Sequence, residues 1–176
     1  MFSYERIDSM GRDMISTVKE KMVEYYSGDS RRVHHFLKVH SFAKLIGECE
    51  SLPEYELEIL EIAALVHDIG IKKAEMKYGY NNGSLQEKEG PPEAKSLLKN
   101  IGAGEDLTER VCYLVSHHHT YRDIQGMDYQ ILVEADFLVN LYEDRADRDT
   151  IIKVYGNIFR TESGKRLCRQ LFPVVS

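Results

Sequence analysis

Apolar residues recur at helical spacing along most of the chain, and short clusters of Gly, Pro, Ser, Asn and Asp separate the periodic segments. Because apolar positions three and four residues apart share one face of a helix, this pattern predicts helices. We find no internal repeat and no convincing strand pattern in the sequence. We therefore predict an all-α bundle of about eight helices, at residues 7–26, 31–50, 53–70, 92–101, 106–118, 127–143, 147–160 and 162–171.

Residues 74–92 interrupt this pattern with a high density of turn-forming residues, including Gly79, Gly83 and the run Gly90-Pro91-Pro92. Such a density predicts a long ordered loop, and long loops in compact domains are often functional. We expect residues 77–89 to form a lid whose aromatic and amide side chains suit a base or a sugar. An ordinary solvent-exposed loop is an equal alternative.

The length of 176 residues and the 43% apolar content predict one globular domain with a sizeable core. The net charge of -6 disfavours binding to bulk nucleic acid or to an anionic membrane surface. A small phosphorylated substrate stays compatible, because a metal and a few local cations can hold one phosphate inside an acidic protein. We expect a cytoplasmic protein, since the N-terminus does not resemble a signal peptide and the three separated cysteines suggest reduced thiols.

His35 is the first candidate for a functional side chain. Val39, Ala43 and Ile46 follow it on the same helical face, so His35 belongs to the buried stripe of its helix. The neighbouring His34 aligns instead with a mostly polar face. A core histidine bonded to a backbone carbonyl is the alternative for His35 taken alone.

Two carboxylates also lie in apolar surroundings. The pair His67-Asp68 closes the apolar run 62–66, and Asp136 lies within the apolar segment 132–139. A buried carboxylate is costly unless it is paired or bound to a metal, so each requires a partner. An arginine from another helix is the alternative partner. Together with His35, these side chains form a mixed nitrogen and oxygen ligand set that suits Mn, Fe, Co, Ni or Zn.

The order His35, then residues 63–70 (AALVHDIG), then Asp136 resembles the HD-domain superfamily of metal-dependent phosphohydrolases. Arg32, three residues before His35, also matches the usual surroundings of the first ligand. The similarity covers about residues 30–145 and leaves about 147–176 as a helical extension. The resemblance implies a metal-dependent phosphohydrolase in which the ligands of the metal are His35, His67, Asp68 and Asp136.

The chain departs from many members of this family at two positions. Ile71 follows the HDIG motif directly, so Lys72, a candidate phosphate-binding residue, is displaced by one position. Pro91 and Pro92 stand where members with two metals usually have a histidine, which predicts a single divalent ion. Glu89, just before these prolines, is a candidate for an acid or base or for a group that supports the site. A solvated charge in a loop is its alternative.

A second run of histidines, His117 to His119, ends a helix whose inward residues include Val111, Leu114 and Val115. Helical spacing places His118 on the same inward face. We expect His118 to bind phosphate or to protonate the leaving oxygen, with His119 as the substitute. Surface histidines stabilised by the helix dipole are the alternative.

The predicted reaction is hydrolysis of a phosphate ester on a nucleotide or sugar phosphate by a metal-activated water. Asp68 accepts the proton of that water, and Arg32, in preference to Lys72, holds the nonbridging oxygens. Two other functions compete with it: a non-catalytic sensor that binds a metal or nucleotide, and a two-iron oxygenase. The apolar residues of the C-terminal segment either complete the core or form the seam of a homodimer: Phe159, Leu167, Leu171 and Phe172.

Overall fold

The computed structural model describes residues 13–173. Within that range the chain forms nine α-helices, and the prediction of an all-helical fold is confirmed. The helices are α1 Met14–Tyr25, α2 Ser30–Cys49, α3 Glu54–Val66, α4 Gly70–Tyr78, α5 Gly83–Asn100, α6 Glu105–Val115, α7 Met127–Glu143, α8 Arg148–Ile158 and α9 Glu162–Leu171. The part of the first predicted helix that precedes residue 13 lies outside the described residues.

Helix α3 occupies the centre of the bundle. Every residue from Ile59 to Val66 is buried, because α1, α2, α6 and α7 all pack against this helix. Burial on all sides explains why the segment reads as a continuous apolar run instead of an amphipathic stripe. The turn that follows α3 therefore emerges from the middle of the fold, and it carries His67 and Asp68.

Hydrogen bonds from α1 hold that turn in place. The hydroxyl of Tyr26 donates to the carbonyl of Asp68 over 2.7 Å. The hydroxyl of Tyr25 donates to the carbonyl of Ile69 over 3.3 Å. The carbonyl of Asp68 also accepts from the backbone amide of Ile71 over 3.0 Å, so the phenols add hydrogen bonds that tie this turn to the end of α1. The position of Asp68 is thus defined by contacts outside its own helix.

The prediction of a long loop at residues 74–92 is wrong. Helix α4 continues to Tyr78, where Gly79 adopts a left-handed φ of 78° and ends it. The side chain of Asn82 then caps α5 by accepting from the amide of Leu85. The turn-forming residues therefore end α4 and begin α5, with a short turn between the two helices. Residues 77–89 are mostly helical.

Helix α5 even continues through Pro91 and Pro92. Prolines inside a helix remove backbone hydrogen bonds, so packing must offset their cost. That packing is a close approach of two backbones: a Cβ placed on Gly70 would lie 2.6 Å from the carbonyl oxygen of Gln86 and from the amide nitrogen of Gly90. Glycine at position 70 lets α4 cross α5 at this distance, directly after the His67-Asp68 turn.

The C-terminal helices α8 and α9 pack against α7, and α9 also contacts α2. Phe159 is buried in the core together with Ile151 and Cys168. Leu171 is 46% exposed. This segment thus contributes Phe159 to the core but leaves Leu171 exposed. None of the helices in residues 13–173 is long and apolar enough to cross a membrane.

Candidate metal centre

The four ligands implied by the sequence lie together in the structure. His35 comes from the second turn of α2, the pair His67 and Asp68 from the turn after α3, and Asp136 from the middle of α7. The Nε2 atoms of His35 and His67 are 3.3 Å apart. Oδ1 of Asp136 lies 3.3 Å from His35 Nε2 and 3.6 Å from His67 Nε2, and Oδ2 of Asp68 lies 3.5 and 3.4 Å from the same two atoms.

Each histidine is oriented by a hydrogen bond from its Nδ1 atom. His35 donates to Oε2 of Glu143 over 3.0 Å, and His67 donates to the carbonyl of Ala64 over 2.9 Å. Because a carbonyl only accepts, Nδ1 of His67 must carry the hydrogen, and the lone pair of the neutral ring is then on Nε2. This arrangement is the usual one for metal-ligating histidines, whose second nitrogen donates to a carbonyl or a carboxylate.

The cluster holds acceptors without donors. Two imidazole lone pairs and two carboxylates face one another, and Oδ1 of Asp136 has no hydrogen-bond partner among the described residues. Burying a charged oxygen without a partner costs several kcal/mol, roughly the effective penalty for one desolvated ion. A divalent cation at this point would balance both carboxylates and give every donor atom a bond.

The pKa values of the four groups reflect the same demand for positive charge. Burial would lower the pKa of His67, but the carboxylates of Asp68 and Asp136 outweigh it and raise that pKa well above its ordinary value. Burial would likewise raise the pKa of Asp136, yet the adjacent imidazoles of His35 and His67 hold that pKa below its usual range. Without a metal, protons on the imidazoles supply the charge that the carboxylates require.

The spacing of the donor atoms fits a single ion. Four donors arranged tetrahedrally at about 2.1 Å from one ion would lie about 3.4 Å apart. The distance between the Nε2 atoms of His35 and His67, and the distances from both atoms to Oδ2 of Asp68 and to Oδ1 of Asp136, fall between 3.3 and 3.6 Å. These residues can therefore hold a divalent metal without a rearrangement of their helices.

The second histidine run contributes one side chain to this cluster. His118 is 1% exposed, and its Nε2 atom lies 3.4 Å from Oδ1 of Asp68 without a hydrogen-bond partner among residues 13–173. Its Nδ1 atom donates to the carbonyl of Val115 over 2.8 Å, so this ring is oriented like those of His35 and His67. Asp68 thus has one oxygen toward His35 and His67 and the other toward His118.

His119 points to α5 instead. Its Nε2 atom forms a hydrogen bond of 2.5 Å with Oε1 of Gln86, and burial together with His118 lowers its pKa to about 4. Asp68, His118 and His119 nevertheless have ligand atoms close enough to hold an ion of their own.

Arg32 lies beside the cluster, but its guanidinium already forms ion pairs with two carboxylates. Its Nη2 atom is 2.6 Å from Oε1 of Glu75, its Nη1 atom is 3.1 Å from Oδ2 of Asp29, and the ring of Tyr26 lies beneath it. Binding a phosphate would therefore compete with two ion pairs. Lys72 is farther removed, since its ammonium donates to the carbonyl of Tyr25 and does not line the cavity next to the cluster.

Glu89 is buried between α4 and α5, so the alternative of a solvated loop charge is wrong. Its Oε1 atom accepts from the hydroxyl of Tyr78 over 2.8 Å and from the ammonium of Lys77 over 3.0 Å. These two hydrogen bonds lower the pKa of Glu89. Both partners belong to α4, which means that Glu89 joins the two helices behind the cluster. The residues expected to form a lid instead belong to the end of α4, a short turn and the start of α5.

A cavity of about 420 Å³ opens on the cluster at His35 and Asp68. The polar residues that line it include Asp29, Arg31, Arg32, Asn81, Asn140, Glu143 and Asp144. Met22, Phe36, Leu65 and Ile71 form an apolar wall. A volume of this order is typical of small-molecule sites, which span roughly 300 to 1,000 Å³.

Glu143 is a site residue that the sequence argument missed. It orients His35 while its Oε1 atom lies 2.5 Å from the ammonium of Lys38. The available signal was its spacing, since position 143 is seven residues after Asp136 and thus on the same face of α7. An acidic residue at the end of a helix resembles an ordinary surface charge, and its partner is 108 residues away in the sequence.

Comparisons with known proteins agree with this geometry. A model of the HD domain matches residues 32–155, which is more than half of the chain. The crystal structure of a predicted HD superfamily hydrolase from an uncultured Thermotogales bacterium is similar, with a TM-score of 0.62 and 25% sequence identity over 97% of this chain and 88% of that chain. No curated protein matches the sequence. The chain belongs to the HD-domain family.

Proposed function

We propose that this protein is a metal-dependent phosphohydrolase that acts on a small phosphorylated metabolite, such as a nucleotide or a sugar phosphate. One observation carries the proposal: two imidazole nitrogens and two carboxylates converge beside a cavity, and Oδ1 of Asp136 among them has no hydrogen-bond partner in the described residues. Membership of the HD-domain family and the likeness to a predicted hydrolase support a metal-dependent hydrolase. That the substrate is a phosphate ester is our own proposal beyond this support.

The ligands that we assign to one divalent transition metal are His35, His67, Asp68 and Asp136. Two neutral imidazoles and two carboxylates balance the charge of a divalent ion and suit Mn, Fe, Co, Ni or Zn. When bound, such an ion lowers the pKa of a coordinated water from 15.7 to about 7 and neutralises phosphoryl oxygens. His118 remains outside this ligand set in the proposal and serves proton transfer.

Asp68 and His118 form the proton-handling pair. Oδ2 of Asp68 faces the metal ligands, while Oδ1 lies 3.4 Å from Nε2 of His118. We assign the proton of the attacking water to this pair, from which it returns to the leaving oxygen. His118 is buried, while Asp68 lines the cavity, and the bond from His118 to the carbonyl of Val115 keeps its Nε2 atom directed at Asp68.

A metal analysis combined with a phosphatase screen tests this function. The purified protein should contain a divalent metal and should release phosphate from at least one nucleotide or sugar phosphate. His67→Ala and Asp68→Ala should lose both properties. His34→Ala is the matched control, because His34 is exposed and bonds only to the carbonyl of Ser30. Bound metal without any turnover across the screen would favour the non-catalytic sensor and contradict the hydrolase.

A further inference from the structure

Two arginines at the start of α2 line the cavity, but they differ in their partners. The guanidinium of Arg32 is bound by Asp29 and Glu75. Glu75 also accepts from the amide of Asn81 over 2.7 Å, and Asn81 accepts in turn from Gln86 over 2.9 Å. Arg32 is therefore one end of a polar chain that ties α2 to α4 and to the turn before α5.

Arg31 is exposed and has no ion pair or hydrogen bond from its side chain among residues 13–173, although it lines the same cavity. It precedes His35 by four residues and so lies on the same face of α2. Four residues correspond to a rise of about 6 Å along a helix, which is about the reach of an arginine side chain. The guanidinium of Arg31 can therefore reach an anion bound at the metal cluster.

The charges around the cavity give Arg31 its role. The two carboxylates of the cluster balance a divalent ion, and Lys38 pairs with Glu143. Arg32 pairs with both Asp29 and Glu75, and Asp144 also lines the cavity. Of the cavity-lining arginines, Arg31 is the one without an ion pair among the described residues, so its planar fork is available to bind two oxygens of a phosphoryl group at once.

We propose that Arg31 binds the nonbridging oxygens of the substrate's phosphoryl group, and that Arg32 is a positioning residue for the turn between α4 and α5. This inference rests on the proposed phosphohydrolase function and gives it a substrate class. A phosphate monoester is a dianion whose terminal phosphoryl group has three nonbridging oxygens, enough to contact both the metal and the fork of Arg31. A diester has two such oxygens and a single charge, so the site favours monoesters.

Four variants test the assignment: Arg31→Gln, Arg31→Lys, Arg32→Gln and, as the control, Arg148→Gln on the exposed surface of α8. Calorimetry measures the affinity of each protein for the metal, and then the affinity of the metal-loaded protein for inorganic phosphate. Kinetics with the best monoester of the screen and with its diester counterpart give kcat and KM separately.

We expect Arg31→Gln to weaken phosphate binding and to raise KM for the monoester by at least about tenfold, the loss of one charge-assisted contact. Metal affinity should stay unchanged, Arg31→Lys should recover part of the loss, and Arg148→Gln should match the wild type. Arg32→Gln should lower the melting temperature more than Arg31→Gln does, and weaken phosphate binding less.

Two results would overturn the inference in distinguishable ways. If Arg31→Gln binds phosphate and turns over the monoester like the wild type, Arg31 has no such role, while the proposed function stands. If the metal-loaded wild type neither binds inorganic phosphate nor hydrolyses any ester, the proposed function and this inference fail together.

Discussion

The imidazole of His35 on α2 donates from Nδ1 to the carboxylate of Glu143 on α7, over 3.0 Å. This bond turns Nε2 of His35 toward His67 and Asp136. Glu143 is held in turn by Lys38, one turn further along α2. The metal cluster thus depends on a carboxylate that does not belong to it.

Replacing Glu143 should therefore weaken metal binding without removing a ligand. For Glu143→Gln we expect a loss of about 10- to 100-fold in metal affinity, the usual effect of removing the group that supports a ligating histidine. A calorimetric titration of the metal-free protein measures it. Asp144→Asn is the control, since Asp144 lines the same cavity and has no contact with His35. Equal affinity in Glu143→Gln and the wild type would show that Glu143 does not orient His35.

The buried carboxylate of Glu134 should be important for stability. It accepts from the backbone amides of Arg160 and Thr161 over 2.6 and 2.9 Å and from the side chain of Gln130 over 2.8 Å. Glu134→Ala would leave these donors unsatisfied and should lower the free energy of unfolding by at least about 1–3 kcal/mol, the cost of an unsatisfied buried group. Urea unfolding measures this. Glu162→Ala, on the exposed start of α9, should change stability little, and an equal loss in both variants would argue against the role of burial.

The contact between α4 and α5 can be tested with two glycines. Gly70→Ala places a Cβ within 2.6 Å of backbone atoms of α5, so the two helices must separate. We expect a loss of about 1–3 kcal/mol in the free energy of unfolding, as for other overpacked sites. Gly156→Ala in α8 meets no atom within 4 Å and should be neutral or stabilise by about 0.5–1 kcal/mol. Thermal unfolding of both variants gives the comparison, and the reverse order would contradict the close approach.

Helical phase predicts much of this site correctly. It distinguishes His35 from His34, and the structure places His35 in the cluster and His34 at the surface. It also separates His118, which reaches Asp68, from His117, which stacks on Tyr113. The first distinction depends on the period of α2, which local sequence encodes. The second continues the period of α6 into the turn after Val115, where the structure ends the helix predicted to reach residue 118.

Tertiary contacts explain what the sequence could not predict. Gly90, Pro91 and Pro92 are typical of a loop, but packing of Gly90 near Gly70 keeps them inside α5. The ion pairs of Arg32 with Asp29 and Glu75 likewise join separate elements. The sequence therefore could not show that the guanidinium of this arginine is already ion-paired. The fold determines which side chains from different helices become partners, and the sequence around each residue does not reveal these pairs.

Acid should weaken the packing of α2 on α3 through Glu61. Burial would raise the pKa of Glu61, but hydrogen bonds from His40 over 2.8 Å and Lys44 over 2.9 Å outweigh it and lower that pKa. A carboxyl group whose pKa is lower in the folded than in the unfolded chain stabilises the fold above its unfolded pKa, about 4.3 for Glu. That contribution is lost as the pH falls through the folded pKa.

Glu61→Gln should accordingly lower the free energy of unfolding at pH 7. It should also flatten the decline of stability below about pH 4.3, the range set by the unfolded glutamate. Chemical unfolding at a series of pH values measures both effects. Glu48→Gln is the control, because Glu48 is exposed and lies 3.7 Å from the same Lys44. If the wild type and Glu61→Gln lose the same free energy of unfolding as the pH falls, Glu61 is not the cause of that loss.

Chelation and restoration of the metal test the central claim most directly. The measured quantity is phosphate release from the best monoester, first by the purified protein, then after complete removal of metal, and finally after titration with a divalent transition metal. We predict that release stops on removal and returns in proportion to added metal, reaching its maximum at about one equivalent per chain, the content expected for one four-ligand site. Undiminished phosphate release by the metal-free protein would contradict the account.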